Sequence, residues 1–210
     1  MTGGLLILLT LPATSFATGA KEEESKTSFQ SGKLAAANLH RLVSLQAEQQ
    51  RTRFRWSPKV TGRSWKYIVV HHSATSAGSV ESIHEEHSRR KDASGNNWLG
   101  IGYHFVIGNG SGMKDGEVEA TFRWKQQIHG AHSGNAEYNG HGIGICLIGN
   151  FEQSKPSESQ TAALRTLIKE LLTEYKLSSA SVIGHNKIKA TKCPGRLLPL
   201  QQLVKETVGP

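Results

Sequence analysis

Several things are scarce in this chain. Only two of its 210 residues are cysteine, Cys146 and Cys193. That is too few for a disulfide-stapled scaffold, so a hydrophobic core must carry the fold. Aromatic residues make up 7% and are scattered; with no basic helix beside them, no nucleic-acid reader is indicated. No apolar run approaches the roughly 20 residues of a membrane-spanning helix, so stable membrane insertion is not expected. Residues 5–11 are apolar and residues 13–20 are mostly small, which fits an export signal over residues 1–20 and a periplasmic or extracellular protein. That signal departs from pattern in one respect, because Met1-Thr2-Gly3-Gly4 carries no Lys or Arg. Acidic residues are also few, 17 against 25 basic ones, a net charge of +8. Such a balance suits a polyanionic neighbour or simply solubility.

What is present reads as an extension and a domain. Residues 21–60 are polar, opening with the charge run Lys21-Glu22-Glu23-Glu24-Ser25-Lys26. Leu34, Leu42 and Leu45, joined by Leu39 and Val43, fall near helical spacing and predict one amphipathic helix over 34–50. From residue 61 to 206 strands and helices alternate. Residues 66–71 predict a central strand, apolar on both faces and therefore covered by helices. Residues 79–90 predict a helix capped by Ser79, without a capping box, whose His84 and His87 lie on its surface or edge. Residues 102–107 and 117–124 predict a hairpin turning at Asp115-Gly116. A loop is expected over 128–138 and a buried strand over 142–149. The clearest helix starts at Ser157, where Ser157 and Gln160 form a capping box ahead of Leu164, Leu167, Ile168, Leu171 and Leu172. A short strand over 181–184 and a closing helix over 197–206 complete the pattern. This is a single α/β domain with a mixed central β-sheet flanked by helices, plus an N-terminal helical extension.

The chemistry gathers at two places. Ile68-Val69-Val70-His71-His72-Ser73 is an apolar run ending in imidazoles, and Gly184-His185-Asn186-Lys187-Ile188-Lys189-Ala190-Thr191-Lys192-Cys193-Pro194-Gly195 is a loop-forming segment with a histidine and a cysteine. Two imidazoles and a thiolate supply three of the donors that Zn2+ prefers and leave a fourth position for water. The alternative is a Cys146–Cys193 disulfide in an exported chain; against it, Cys146 lies inside the apolar run 143–148, where a buried free thiol is common.

Four segments in order, 68–75, Gly102-Tyr103-His104-Phe105, 143–151 and 184–195, resemble the type 2 zinc N-acetylmuramoyl-L-alanine amidases, a class that includes amidase-type phage lysozymes and the peptidoglycan recognition proteins. The likeness covers about residues 65–200. It implies His71, His185 and Cys193 as the Zn2+ ligands, the histidine directly after the strand being the family's first. It also implies Tyr103 as the donor to the reacting carbonyl and His132 as a residue of the peptide groove. Thr191 matches a catalytic position that is lysine in phage-type members and often threonine in recognition proteins. A glutamate that some members carry in the strand over 145–147 has no counterpart here. By the resemblance the chain hydrolyses the amide between the lactyl group of N-acetylmuramic acid and L-alanine in peptidoglycan, with a zinc-activated water as nucleophile. A recognition module that binds muropeptides without cutting is the alternative. Loss of the cysteine ligand marks that state in the family, and Cys193 is present.

Overall fold

A computed structural model describes residues 32–33, 35–44 and 56–208. The chain divides into two compact units, Met1–Arg55 and Trp56–Pro210. In the first, the described residues are helical and exposed, among them Leu39, Leu42 and Val43 of the expected apolar stripe. The expected export signal, the charge run and residues 45–50 of the expected helix lie outside the described residues.

The second unit is a mixed sheet with helices. Its strands are β1 (Tyr67–His72), β2 (Phe105–Ile107), β3 (Val118–Ala120), β4 (Gly142–Leu147) and β5 (Val182–Gly184), in the order β3-β2-β4-β1-β5. All neighbours run parallel except β2 and β3. The helices are α1 (Val80–Ser88), α2 (Phe122–Lys125), α3 (Ala136–His141), α4 (Glu158–Glu174) and α5 (Leu200–Val208).

Alternation divides the sheet into two faces. Ile68 and Val70 of β1, Phe105 and Ile107 of β2, and Ile143, Ile145 and Leu147 of β4 share one core cluster with Leu164, Leu167, Ile168, Leu171 and Leu172 of α4 and Leu203 and Val204 of α5. This face holds the domain together. At about 25 cal/mol per Å² of apolar area removed from water, each of these side chains contributes roughly 1.5–3 kcal/mol before entropy is counted. The other face carries His71, Gly142, Gly144 and Cys146, with Val69 paired to Gly144 and His71 to Cys146. Val106 on the same face packs with Ile83 of α1, Ile101, Met113 and Ile148, so the part left for chemistry is the end where His71 stands. The capping box of α4 forms as expected, Ser157 and Gln160 each accepting the other's backbone N–H.

Three differences from expectation have clear causes. First, α1 does carry a capping box: the Ser82 hydroxyl accepts the Ser79 N–H at 2.8 Å, the place usually taken by a longer Glu or Gln. Second, β2 is shorter than 102–107, because the carbonyls ahead of it are already engaged. Those of Ile101, Gly102 and Tyr103 accept from Arg123 Nε, the Ala131 N–H and the Thr121 hydroxyl. Third, the return strand stops at Ala120, where Thr121 accepts the Arg123 N–H and caps α2.

Arg123 is 1% exposed and has no carboxylate beside it among its hydrogen-bond partners. Its guanidinium donates to Ile101 O at 2.5 Å and His129 O at 2.6 Å, tying the segment before Tyr103 to the segment before His132. Arg123→Ala should lower the unfolding free energy by roughly 3 kcal/mol, the cost of stranding buried carbonyls together with lost packing. Urea denaturation would measure this, and an unchanged midpoint would show that the clamp contributes nothing.

Candidate metal centre

His71 stands at the C-terminal end of β1, and His185 follows directly after β5. Those strands are parallel neighbours, so both imidazoles arrive at the same end of the sheet, where ligands of open α/β sheets commonly bind. Cys193 returns to them on a loop held by the Asn186 N–H, which donates to Cys193 O at 2.8 Å. One donor atom from each of His71, His185 and Cys193 falls within 4.8 Å of the others.

Strand alternation separates the two adjacent histidines. His71 is 1% exposed and faces the site. The neighbouring His72 turns to the helix side, where its Nδ1 accepts the Phe151 N–H at 3.1 Å and is no longer available to an ion.

His71 is oriented from below. The Gly142 carbonyl can only accept, so His132 Nε2, 3.1 Å away, is protonated and donates to it. His132 Nδ1 then accepts from His71 Nε2–H at 3.0 Å. What remains on His71 is a lone pair on Nδ1, 3.7 Å from Cys193 Sγ. His185 is set by the same logic, its Nε2–H donating to Ser133 O at 3.0 Å and leaving Nδ1 free. Outer-shell bonds of this kind select the tautomer and raise ligand basicity. Glycine makes the arrangement possible: a Cβ at Gly144 would meet the His132 ring at 2.6 Å.

Cys193 Sγ accepts the His72 N–H at 3.3 Å. Burial pushes its thiol up to about 11, so the thiolate is costly without a cation. Burial, followed by the nearby imidazoles His132, His185 and His72, holds His71 well below its ordinary value; burial lowers His185 as well. Two neutral imidazoles and a thiol that a cation would ionise form a donor set that fits zinc. Zn–N near 2.0 Å and Zn–S near 2.3 Å at a tetrahedral angle would place N and S about 3.5 Å apart, against 3.7 Å between His71 Nδ1 and Cys193 Sγ.

Tyr103 packs beside this group, its ring 5.1 Å from that of His71. Burial, then the cysteines Cys146 and Cys193, raises its phenol well above the usual range, so it remains a donor. Thr191 is exposed, and its hydroxyl oxygen accepts the Cys193 N–H at 3.2 Å; it shapes the ligand loop and keeps its own proton to give. His132, expected in the peptide groove, is buried with both ring nitrogens engaged, one of them on His71. Cys146 and Cys193 are both free.

Three contributors were not foreseen. Asn139 Oδ1 accepts from the N–H groups of His132 and Ser133 and from the Ser133 hydroxyl, all at 2.9 Å, fixing the loop that holds both imidazoles. Ser133 carries the carbonyl that orients His185. His87, expected on a surface, is buried: its Nδ1 accepts the Gly102 N–H at 3.0 Å and its ring lies 5.5 Å from that of Tyr103. The Asn135 N-cap that begins α3 marks Asn139 one turn later, a signal readable only once the loop over 128–138 is known to end in a helix.

Together these features define an α/β protein with an open, three-donor metal-type site beside a half-buried tyrosine. The chain belongs to the N-acetylmuramoyl-L-alanine amidase family, whose model matches residues 61–196. It is 34% identical over 149 residues to a peptidoglycan-recognition protein of Drosophila simulans, covering 67% of this chain and 73% of that protein. It is 33% identical over 132 residues to an endolysin of Klebsiella phage KP32, covering 60% and 78%. Its fold is similar to that of the endolysin N-acetylmuramoyl-L-alanine amidase LysCS from Clostridium intestinale URNW, with a TM-score of 0.56 and 27% identity over 67% of this chain and 81% of that one. No helix among the described residues is long and apolar enough to cross a membrane.

His87 generates a pH prediction. Burial lowers it from 6.5 to about 4, so the unfolded chain takes up this proton before the folded one does. The stability it contributes is complete above about pH 6.5 and is lost as pH falls toward 4. Denaturation at pH 7 and pH 5 should differ by roughly 2 kcal/mol on this account. His87→Asn should flatten the dependence, and an equally steep profile in that variant would assign it elsewhere.

Proposed function

We propose that this chain is a zinc-dependent amidase that cleaves the bond between N-acetylmuramic acid and L-alanine in peptidoglycan. The observation that carries the reading is the His71, His185 and Cys193 cluster, within 4.8 Å, set beside a phenol held in its protonated form. Family membership narrows the reaction to an amide of this kind. The net charge of +8 suits a wall polymer bearing carboxylates, and an exported protein would meet it.

Zinc, when bound by His71, His185 and Cys193, supplies a Lewis acid that activates water and polarises the scissile carbonyl. The chain's residues do the remainder. His132 and the Gly142 carbonyl keep His71 in one tautomer, and the Ser133 carbonyl does the same for His185. The His72 N–H stabilises negative charge on Cys193 Sγ. Tyr103 donates its hydroxyl proton in a hydrogen bond to the oxyanion that develops on the carbonyl oxygen. Thr191 offers a second, uncharged donor from the rim. No carboxylate is required as general base in this scheme, consistent with the absence of a glutamate from 145–147.

Mass spectrometry of digested peptidoglycan tests the bond directly. Free stem peptides beginning with L-alanine are expected, and new reducing sugar ends would overturn the reading. Chelation should abolish turnover and added Zn2+ should restore it. Cys193→Ser should lose both zinc and hydrolysis, because a neutral hydroxyl replaces a thiolate. Tyr103→Phe should keep its zinc and lose about 10²-fold in turnover, the usual cost of one oxyanion donor. Full turnover in that variant would remove Tyr103 from the mechanism.

A further inference from the structure

Behind the loop that carries His185 and Cys193 lies a groove of about 660 Å³, bounded by β5 on one side and α5 on the other. Its floor is apolar, with Val182, Leu198 and Val204, and its cations are Lys187, Arg196 and Lys205. No aspartate or glutamate lines it. None of these three cations belongs to an ion pair found among the described residues. Two carboxylates lie outside the lining but near it: Glu152, which accepts the Arg196 backbone N–H at 2.7 Å and keeps its charge, and Glu206, which pairs with Arg165 at 2.9 Å. β5 is the outermost strand of the sheet, and all three of its residues line the groove. An outermost strand presents backbone donors and acceptors that an extended chain can pair with.

We propose that this groove is a second peptide-binding site, separate from the metal centre, for an extended acidic peptide with small apolar side chains. The strand edge would hydrogen-bond individual peptide groups of the ligand, the floor would take its methyl groups, and Lys187, Arg196 and Lys205 its carboxylates. Resting on the proposed amidase function, the occupant is a stem peptide of peptidoglycan that is not being cut. Charge complementarity selects it: three cations with no carboxylate in the groove, set over an apolar floor, suit a ligand that alternates alanyl methyls with free carboxylates. Gly184, Asn186 and Pro194 of the ligand loop line the groove, while His185 and Cys193 of the same loop serve the metal centre. One loop thus backs onto both sites. A protein gripping a neighbouring stem in a polymeric wall holds the reacting stem at a raised effective concentration, an advantage that soluble substrate does not provide.

The test is the double variant Arg196→Glu/Lys205→Glu, with Lys187→Gln/Lys205→Gln as a milder second. Both should cleave a soluble muramoyl peptide at the parent rate, which also shows that they fold. Turnover of intact sacculi should fall about fivefold in the first and less in the second, as expected for exposed charge contacts. Calorimetric titration of the acidic tripeptide N-acetyl-L-Ala-γ-D-Glu-meso-diaminopimelate should show two sites on the parent and one on the first variant. A single site on the parent, or sacculus turnover unchanged in the first variant, overturns the proposal. So does a loss seen with phosphatidylglycerol vesicles but not with the tripeptide, which would make the groove a lipid contact. If the parent fails to cleave the soluble substrate, the amidase reading fails, whatever the titration gives.

Discussion

The structure depends most on a buried pair of imidazoles. His132 donates to the Gly142 carbonyl and accepts from His71, and through that chain a strand-end histidine acquires one tautomer and one direction. Several features serve this contact. The parallel pairing of β1 with β4 sets His71 beside Cys146 and Val69 beside Gly144, and the missing side chain at Gly144 admits the His132 ring against the sheet. Asn139 fixes the loop that brings His132 in, and the Arg123 guanidinium anchors the start of that loop through the His129 carbonyl.

Desolvation acts on the whole region in one sense. Burial is the largest cause of lowered basicity at His71, His87, His104 and His132, and of raised pKa at Tyr103, Cys146 and Cys193. The result is a pocket of neutral groups whose lone pairs and protons are already allotted. For the imidazoles this costs little, since each is hydrogen-bonded as a neutral ring. For Cys193 it is different, because its useful form is charged and buried. A divalent cation, if bound there, would offset that cost.

The two faces of the sheet divide the work. Aliphatic side chains from β1, β2 and β4 meet α4 and α5 on one side and supply most of the apolar burial. On the other side a smaller cluster of Ile83, Ile101, Val106, Met113 and Ile148 stands beside glycines, histidines and a cysteine, which leave room for ligands at a cost in packing that the first face offsets. Charge follows a different division. Among the described residues Arg123 is the buried cation, held by carbonyls, while Lys187, Arg196 and Lys205 stand around the groove behind the ligand loop.

Much of this was legible in the order of residues alone. The strand ending at His71, the amphipathic α4 with its capping box, the hairpin turn and the mixed α/β class follow from periodicity and local hydrogen bonding, which act over a few residues. With ten histidines and two cysteines, residue type alone did not single out His71, His185 and Cys193; the resemblance did, and the structure brings the three within 4.8 Å of one another. Contacts between distant segments were not readable. Gly102 and Tyr103 fall outside the β2 ladder because partners from 121 and 131 claim their carbonyls, and no local pattern reports that. The burial of His87 and the bond from His71 to His132 could not be read locally, since burial and the choice of hydrogen-bond partner are set only when loops far apart in sequence close over one face. Residue type and the resemblance together therefore determined which atoms can hold a metal. Only the tertiary structure decided which proton each imidazole carries, because that depends on a carbonyl or a second ring arriving from elsewhere in the chain.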